Sequence, residues 1–266
     1  MQRTADGRAH GPIFVVGCPR SGTTLVRNLL DSHPNIACGE ETQFLTELVA
    51  IEQHHWDRLV DYGIERAAWR EHVRDLFSWL HDEYARRQGK IRWADKSPSY
   101  ALILDYIEAL YPDCQVLHVI RDGRDVLASY QERWGWRGAT TAITDWPTHV
   151  RAARRWGEQH PEDRYMEIKY EELVTDTKGV MGSVIEWLGE PWDDALLRFG
   201  DVPHFMSART VAAPPNEERQ RQQGDYSKVY SSSVGTGSSA RRLVLHRAVF
   251  ERRNAKVLNA LGYGKS

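Results

Sequence analysis

The sequence predicts an α/β fold in which a central parallel sheet carries helices on both faces. Three observations predict it. Residues 13–16 and 115–120 are short apolar runs typical of buried strands, and helical periodicity follows each of them. A glycine-bounded turn at 17–22 joins the first strand to its helix. Strands that alternate with helices pair in parallel, because each helix crosses over a face of the sheet.

The elements follow in order along the chain. After the strand at 13–16, apolar residues recur at helical spacing over 23–31, and turn-forming residues at 33–35 end that helix. We therefore predict a loop from 33 to 39. The remaining elements are predicted as mostly helix over 42–88, a strand at 92–95, a helix at 100–111, a strand at 115–120, helices at 122–134 and 146–160, a strand at 165–169, a helix up to 188 and a final helix at 240–261.

The 266 residues show no internal repeat and no linker, so residues 1–266 are predicted to form a single domain. The polar residues 1–10 are predicted to be a flexible tail. Regular periodicity fades over 202–237, a polar stretch. Loops of that length are typically functional or disordered, and we predict a lid-like loop here.

Composition excludes several classes of partner. The formal net charge of −2 gives no global basic field, so binding to nucleic acid is not predicted. The three cysteines are far apart and form no Cys-x-x-Cys pair, which indicates reduced thiols. The N-terminus lacks the apolar core of a signal peptide, and no apolar run approaches the length of a membrane span. We therefore predict a cytoplasmic protein without a membrane span, whose oligomeric state the sequence leaves open.

A candidate phosphate loop lies between the first strand and its helix. The run Gly17-Cys18-Pro19-Arg20-Ser21-Gly22-Thr23-Thr24 has the Gly-x₄-Gly spacing of a P-loop, so the fold is predicted to be P-loop-like. Glycines allow a tight turn whose N–H groups converge on an anion, and the helix N-terminus adds its dipole. P-loop NTPases have Lys where this chain has Thr23, so the loop favours a shorter anion than a triphosphate. Cys18 is not predicted to be a phosphatase nucleophile, because Thr24 stands where that chemistry requires Arg.

A second candidate anion site follows the strand at 115–120. Arg121 stands at the start of the next helix, and Ser129 and Arg133 share one face of it. We interpret the neighbouring Arg124 and Asp125 as an exposed ion pair. The pair His54-His55 is not predicted to bind metal, because adjacent side chains on a helix diverge.

Three strings in the first 42 residues, at 13–25, 30–35 and 38–42, resemble the PAPS-dependent sulfotransferases, where PAPS is 3′-phosphoadenosine 5′-phosphosulfate. Within them the chain is most similar to the tyrosylprotein sulfotransferase branch and its bacterial relatives. The resemblance implies that the loop binds the 5′-phosphosulfate of PAPS through Arg20, Ser21, Gly22, Thr23 and Thr24.

The resemblance extends to the rest of the donor site. It implies that Arg121, Ser129 and Arg133 bind the 3′-phosphate. The string 168–173 resembles the segment whose Tyr packs near the adenine, which implies that role for Tyr170. PAP, the product nucleotide, would occupy the same site.

The catalytic residues are also implied by resemblance. The string 38–42 implies that Glu41 is the general base, whereas Glu40 is expected to act as a helix-start anion. The string 95–98 implies that Lys96 stabilises the bridging oxygen of the departing nucleotide. His118 is a reserve candidate for the base, and no metal is expected.

The chain departs from the family near its end. The string 230–235 resembles the start of a segment of bacterial members, which continues with Arg-Trp, whereas this chain has Thr236-Gly237. Either Arg241 or Arg242 replaces that cation, or the contact is absent. An ordinary flexible polar loop over 231–239 is equally compatible with the sequence.

The predicted function is transfer of a sulfuryl group from PAPS to an acceptor hydroxyl of a small molecule, a glycan or a tyrosine. Two alternatives stay open. A small-molecule kinase with a P-loop would need a loop lysine and an acidic magnesium site, which the sequence lacks. A catalytically silent nucleotide-binding module would be expected to lack the base, yet Glu41 and Lys96 are both present.

Overall fold

The structure, a computed structural model, describes residues 2–3, 9–201 and 234–264. Its centre is a sheet of five parallel strands in the spatial order β4-β5-β3-β6-β7. The strands are β3 (Ile13–Gly17), β4 (Ile36–Cys38), β5 (Arg92–Lys96), β6 (Gln115–Ile120) and β7 (Tyr165–Lys169). Two short strands, β1 (Gln2–Arg3) and β2 (Ala9–His10), pair antiparallel within the segment predicted to be a flexible tail.

Helices connect the strands. They are α1 (Thr23–Asp31), α2 (Phe44–Val60), α3 (Arg66–Arg87), α4 (Leu104–Leu110), α5 (Gly123–Gly157), α6 (Tyr170–Thr175), α7 (Thr177–Trp187), α8 (Thr236–Ser239) and α9 (Val244–Ala260), with 3₁₀ turns at Pro98–Leu102, Asp194–Asp201 and Arg241–Leu243. The helix predicted at 100–111 is thus a 3₁₀ turn followed by α4. The final helix begins at Val244 rather than at 240.

Alternate residues of the central strands face opposite layers, which confirms helices on both faces. Phe14 and Val16 of β3 belong to the buried cluster that α3 and α4 complete. Ile13 and Val15 belong to a second cluster, built with α1 and α7. Both faces of β3 are therefore buried, as its uninterrupted apolar run predicts.

The loop predicted at 33–39 is wrong, because the chain forms β4 there. Ile36, Ala37 and Cys38 pair in parallel with Arg92, Trp93 and Ala94 of β5. Asp31 Oδ1 accepts the N–H of Cys38 at 2.9 Å. Because parallel strands end at one edge, β4 delivers residues 40–42 to the same carboxyl edge as the loop after β3.

Helix α5 reverses direction within itself. Gly135 has φ 68° and ψ −156°, outside the helical region. The second half returns along the first, since Trp146 Nε1 donates to the carbonyl of Arg121 at 2.9 Å. The helices predicted at 122–134 and 146–160 are therefore two arms of one hairpin, and the second arm begins ten residues before the prediction. The second arm of the hairpin thereby holds the backbone of Arg121 in place.

Gly123 allows the two arms of α5 to meet. A Cβ there would lie 2.2 Å from Phe250 Cζ and 2.7 Å from Trp146 Cδ2. Gly123→Ala is therefore expected to lower the free energy of unfolding by about 1–3 kcal/mol, the usual cost of overpacking. Urea denaturation measures it. Gly182→Ala in α7 is the control, because a Cβ there meets nothing within 4 Å. Equal stability of the Gly123→Ala variant and the parent protein would contradict the packing.

None of the helices in the described ranges has the length and apolar character needed to cross a membrane. Most of the predicted lid, residues 202–233, lies outside the described residues, so the lid stays a prediction.

Candidate active site

The candidate site lies at the carboxyl edge of the sheet, where the loop after β3 carries unusual backbone angles. Arg20 and Gln43 are the non-glycine residues with positive φ in the described ranges, at 71° and 57°. Arg20 is in the phosphate loop, and Gln43 follows the segment that β4 delivers. Strained backbone of this kind gathers at functional sites, because the surrounding structure must hold it there.

The loop offers donors for an anion. Helix α1 begins at Thr23 behind Gly22 without a side-chain cap, so the positive end of its dipole is uncovered. The hydroxyl of Ser21 is buried, and no group in the described part of the chain bonds to it. A buried hydroxyl without a partner costs about 1–3 kcal/mol, so these groups fit a bound oxyanion.

Arg121 and Tyr170 join the second candidate anion site to this loop. The guanidinium carbon of the buried Arg121 lies 4.6 Å from the centroid of the Tyr170 ring. Arg121 Nη1 donates to the carbonyl of Arg20 at 3.3 Å. The Tyr170 ring also packs on Gly22, where a Cβ would lie 2.2 Å from Tyr170 Cδ2. Glycine is therefore required at 22 both for its φ of 98° and for this contact.

Ser129 and Arg133 project from the first arm of α5. Arg20 Nε donates to Ser129 Oγ at 3.0 Å, which brings the two predicted phosphate sites into contact. Arg133 lies one turn later, half-buried, and forms no hydrogen bond or ion pair with the described residues. The structure thus brings Arg20, Ser129, Arg121 and Tyr170 together, with Arg133 at the far end.

Glu41 and Lys96 meet between the ends of β4 and β5. Lys96 Nζ donates to Glu41 Oε1, and the side-chain amide of Gln43 donates to Glu41 Oε2. Lys96 is nearly buried, with 3% of its side chain exposed, whereas 31% of the Glu41 side chain is exposed. The ammonium group is therefore fixed, and the carboxylate keeps one side open to a substrate.

A hydrogen-bonded cluster holds Thr42, the residue that follows Glu41. Thr42 Oγ1 donates to Asp95 Oδ2 at 2.7 Å and lies 3.0 Å from Tyr100 Oη. His81 Nε2 is 3.2 Å from the same Asp95 oxygen. No role was predicted for the side chains of this cluster from the sequence. The sequence signal that could have found two of them is their position beside a predicted catalytic residue, since Thr42 follows Glu41 and Asp95 precedes Lys96.

Glu40 is not a helix-start anion. Arg27 Nη1 of α1 donates to Glu40 Oε1 at 2.7 Å, and Arg27 is buried. Glu40 also stands four residues before Phe44, the first residue of α2. The two adjacent glutamates therefore differ in environment: Glu40 ties β4 to α1, and Glu41 contacts Lys96.

The interpretation of Arg124 and Asp125 as an exposed ion pair is wrong. Arg124 pairs with Asp122, with 2.6 Å between Nη2 and Oδ2. Asp125 is buried and accepts the N–H groups of Gly235 and Gly237. The reason is geometric, because consecutive residues on a helix point in different directions.

The cation that bacterial members have at the position of Thr236 is not located by the structure. Arg242 is exposed, and replacement of that cation by Arg241 or Arg242 stays a prediction.

Two titratable groups near the sheet are poorly suited to catalysis. His118 is fully buried in β6, its Nδ1 is 2.7 Å from Tyr165 Oη, and burial lowers its pKa to about 3. These features disfavour His118 as the reserve base. Burial raises the pKa of the Cys18 thiol to about 12, so Cys18 stays protonated and is a poor nucleophile.

Known proteins are similar to this chain in sequence and in fold. The model of the sulfotransferase family matches residues 12–194. Protein-tyrosine sulfotransferase A of Caenorhabditis elegans is 28% identical over 209 residues, covering 73% of this chain and 54% of the relative. Protein-tyrosine sulfotransferase of Drosophila melanogaster is 29% identical over 203 residues, covering 70% of this chain and 39% of the relative. The chain thus spans about half the length of these relatives, or less.

A solved structure shows the same fold over nearly the whole chain. The sulfotransferase domain of the Synechococcus PCC 7002 olefin synthase superposes with a TM-score of 0.63 at 23% identity, covering 95% of this chain and 98% of that domain. The family match includes the phosphate loop, the Glu41–Lys96 pair, Arg121 and Tyr170. The chain therefore belongs to the sulfotransferase family.

Proposed function

We propose that this protein transfers a sulfuryl group from PAPS to the hydroxyl of an acceptor. One observation carries the proposal: Arg20 of the phosphate loop bonds to Ser129 and, through its carbonyl, to Arg121. The two candidate anion sites, each with an arginine, are therefore in direct contact, which suits a nucleotide with phosphates at both its 5′ and 3′ positions.

The donor side of the site divides between two groups of residues. Residues 20–24 would hold the 5′-phosphosulfate. The donors would be the start of α1 and the Ser21 hydroxyl, which has no partner among the described residues. Arg121, Ser129 and Arg133 would hold the 3′-phosphate. Tyr170, held between Gly22 and Arg121, would pack near the adenine.

Glu41 and Lys96 would carry the chemistry. When bound, PAPS supplies the sulfuryl group and a phosphate leaving group. A hydroxyl is a weak nucleophile, so Glu41 would accept its proton as the acceptor oxygen attacks. Lys96 would hold the negative charge that develops on the bridging oxygen. The two side chains are already in contact, so the proposed base and the proposed cation lie side by side before any substrate binds.

The acceptor is proposed only as a hydroxyl compound. The names of the two animal relatives give protein tyrosine as their acceptor, which makes a tyrosine peptide one candidate here. Glycan and small-molecule hydroxyls are the others. Incubation with PAPS and a panel of all three classes, followed by mass spectrometry for the gain of one sulfo group, identifies the acceptor class.

We also propose that the protein acts in the cytoplasm.

Nucleotide selectivity tests the proposed donor. Calorimetry is expected to show PAP bound far more tightly than AMP or ATP, because only PAP engages both anion sites. Arg121→Ala is expected to weaken PAP binding by about 1.5–3 kcal/mol, the range for charge-assisted hydrogen bonds. Arg87→Ala is the control, since Arg87 pairs with Glu83 on the surface of α3. Preference for ATP, with PAP ignored, would contradict the proposal and favour the kinase alternative.

A further inference from the structure

Asp125 is a buried carboxylate that the proposed mechanism does not use. It lies in the first turn of α5 with 2% of the residue exposed. Gly235 N–H donates to Oδ2 at 2.8 Å, and Gly237 N–H donates to Oδ1 at 2.7 Å. Arg121 Nη2 lies 3.9 Å from Oδ2. A buried charge persists only when donors and counter-charges compensate it, and here both kinds of group surround one carboxylate.

The segment 235–237 is held tightly against α5. A Cβ at Gly237 would lie 2.0 Å from the carbonyl oxygen of Arg124, so only glycine permits this approach. Gly235 has φ 77°, which also favours glycine. The C-terminal part of the chain therefore meets the start of α5 in one fixed arrangement, directly beside Arg121.

We propose that Asp125 is a positioning residue for the 3′-phosphate side of the donor site. Its carboxylate joins segment 235–237 to Arg121 and fixes the place of both. The inference rests on the proposed function, because a 3′-phosphate is the ligand that gives this corner of the site its role. Segment 235–237 carries no charged side chain, so Arg121 is the cation that Asp125 orients here.

Asparagine at 125 disturbs this arrangement with little change of volume. The carboxylate accepts one N–H on each oxygen, whereas an amide has one acceptor oxygen and one NH₂ donor. One of the two glycine N–H groups would then face another donor. The segment is expected to move away from α5, and Arg121 loses its carboxylate neighbour.

The test compares PAP with AMP, which has the 5′-phosphate alone. By calorimetry, Asp125→Asn is expected to weaken PAP binding about 10–30-fold, the effect of losing a buried hydrogen bond and misplacing a charged one. AMP binding should change less than about threefold, because AMP lacks the 3′-phosphate that Arg121 would bind. Gly237→Ala moves the same segment from the other side and should lower the PAP-to-AMP affinity ratio in the same way, even if Asp125→Asn fails to fold.

Asp176→Asn is the matched control. Asp176 also accepts a backbone N–H, that of Gly179 at 2.9 Å, but at the start of α7. The Asp176→Asn variant should leave the PAP-to-AMP affinity ratio unchanged. If Asp125→Asn and Gly237→Ala both lower the unfolding midpoint and keep the parent ratio, Asp125 is purely structural and the inference is overturned. If the parent protein itself shows no preference for PAP over AMP, the proposed donor fails, and this inference fails with it.

Discussion

Glu41→Gln is expected to lower kcat by about 10²–10⁴, the usual contribution of a general base. The amide keeps an oxygen for the bond from Lys96 but cannot accept the acceptor's proton. PAP affinity should barely change, because Glu41 is engaged by Lys96 and Gln43 and is not proposed as a phosphate ligand. Steady-state kinetics with saturating PAPS and an acceptor from the screen, together with calorimetry, separate the two effects.

The neighbouring residue supplies the control for that prediction. Glu40→Gln makes the same carboxylate-to-amide change at the adjacent residue, which pairs with the buried Arg27. It should reduce stability, because it leaves a buried guanidinium without its carboxylate, and should affect kcat far less. Losses of kcat in the opposite order would assign the base to Glu40. Near-normal turnover in both variants would place the base elsewhere.

Lys96→Met is expected to lower kcat by about 10²–10³, comparable to the removal of one donor from a developing oxyanion. Methionine preserves the apolar stem of this nearly buried side chain, so the packing at the end of β5 should survive. The double variant with Glu41→Gln should lose less than the product of the single effects, since residues in contact act as a unit.

Lys90→Met is the control for Lys96→Met. Lys90 is also a largely buried lysine close to β5, but it lies before the strand and donates to Asp31. It should change stability and leave kcat near that of the parent. A kcat loss of equal size in both variants would mean that lysine removal acts through folding, and would contradict a local role for Lys96.

The sequence predicts those parts of the fold that local patterns encode. The apolar run of β3 and the mostly apolar run of β6 mark buried parallel strands, and the glycines at 17 and 22 mark the loop between β3 and α1. β4 has only three residues and no periodicity to detect, so its presence depends on pairing with β5. The reversal of α5 depends on one glycine, Gly135, inside a long helical pattern.

In the candidate site too, local strings identify some residues, whereas others depend on contacts between distant parts of the chain. The roles of Arg20, Glu41, Lys96 and Arg121 are implied by strings that resemble the family, and the structure places all four at the carboxyl edge that strand ends in a parallel sheet share. The role of Asp125 depends on Gly235 and Gly237, which are more than a hundred residues away. Local spacing carries no information on such a contact, and the buried carboxylate is indistinguishable from a surface residue in the sequence alone.

A crystal structure of the protein grown with PAP tests the central claim most directly. The account predicts the 5′-phosphate within hydrogen-bond distance of the backbone at 21–24, and the 3′-phosphate against Arg121 and Ser129. Glu41 and Lys96 should lie on the side of the 5′-phosphate where the sulfuryl group would be. A nucleotide bound in the reverse orientation, or away from the carboxyl edge of the sheet, would contradict the assignment of both phosphate sites.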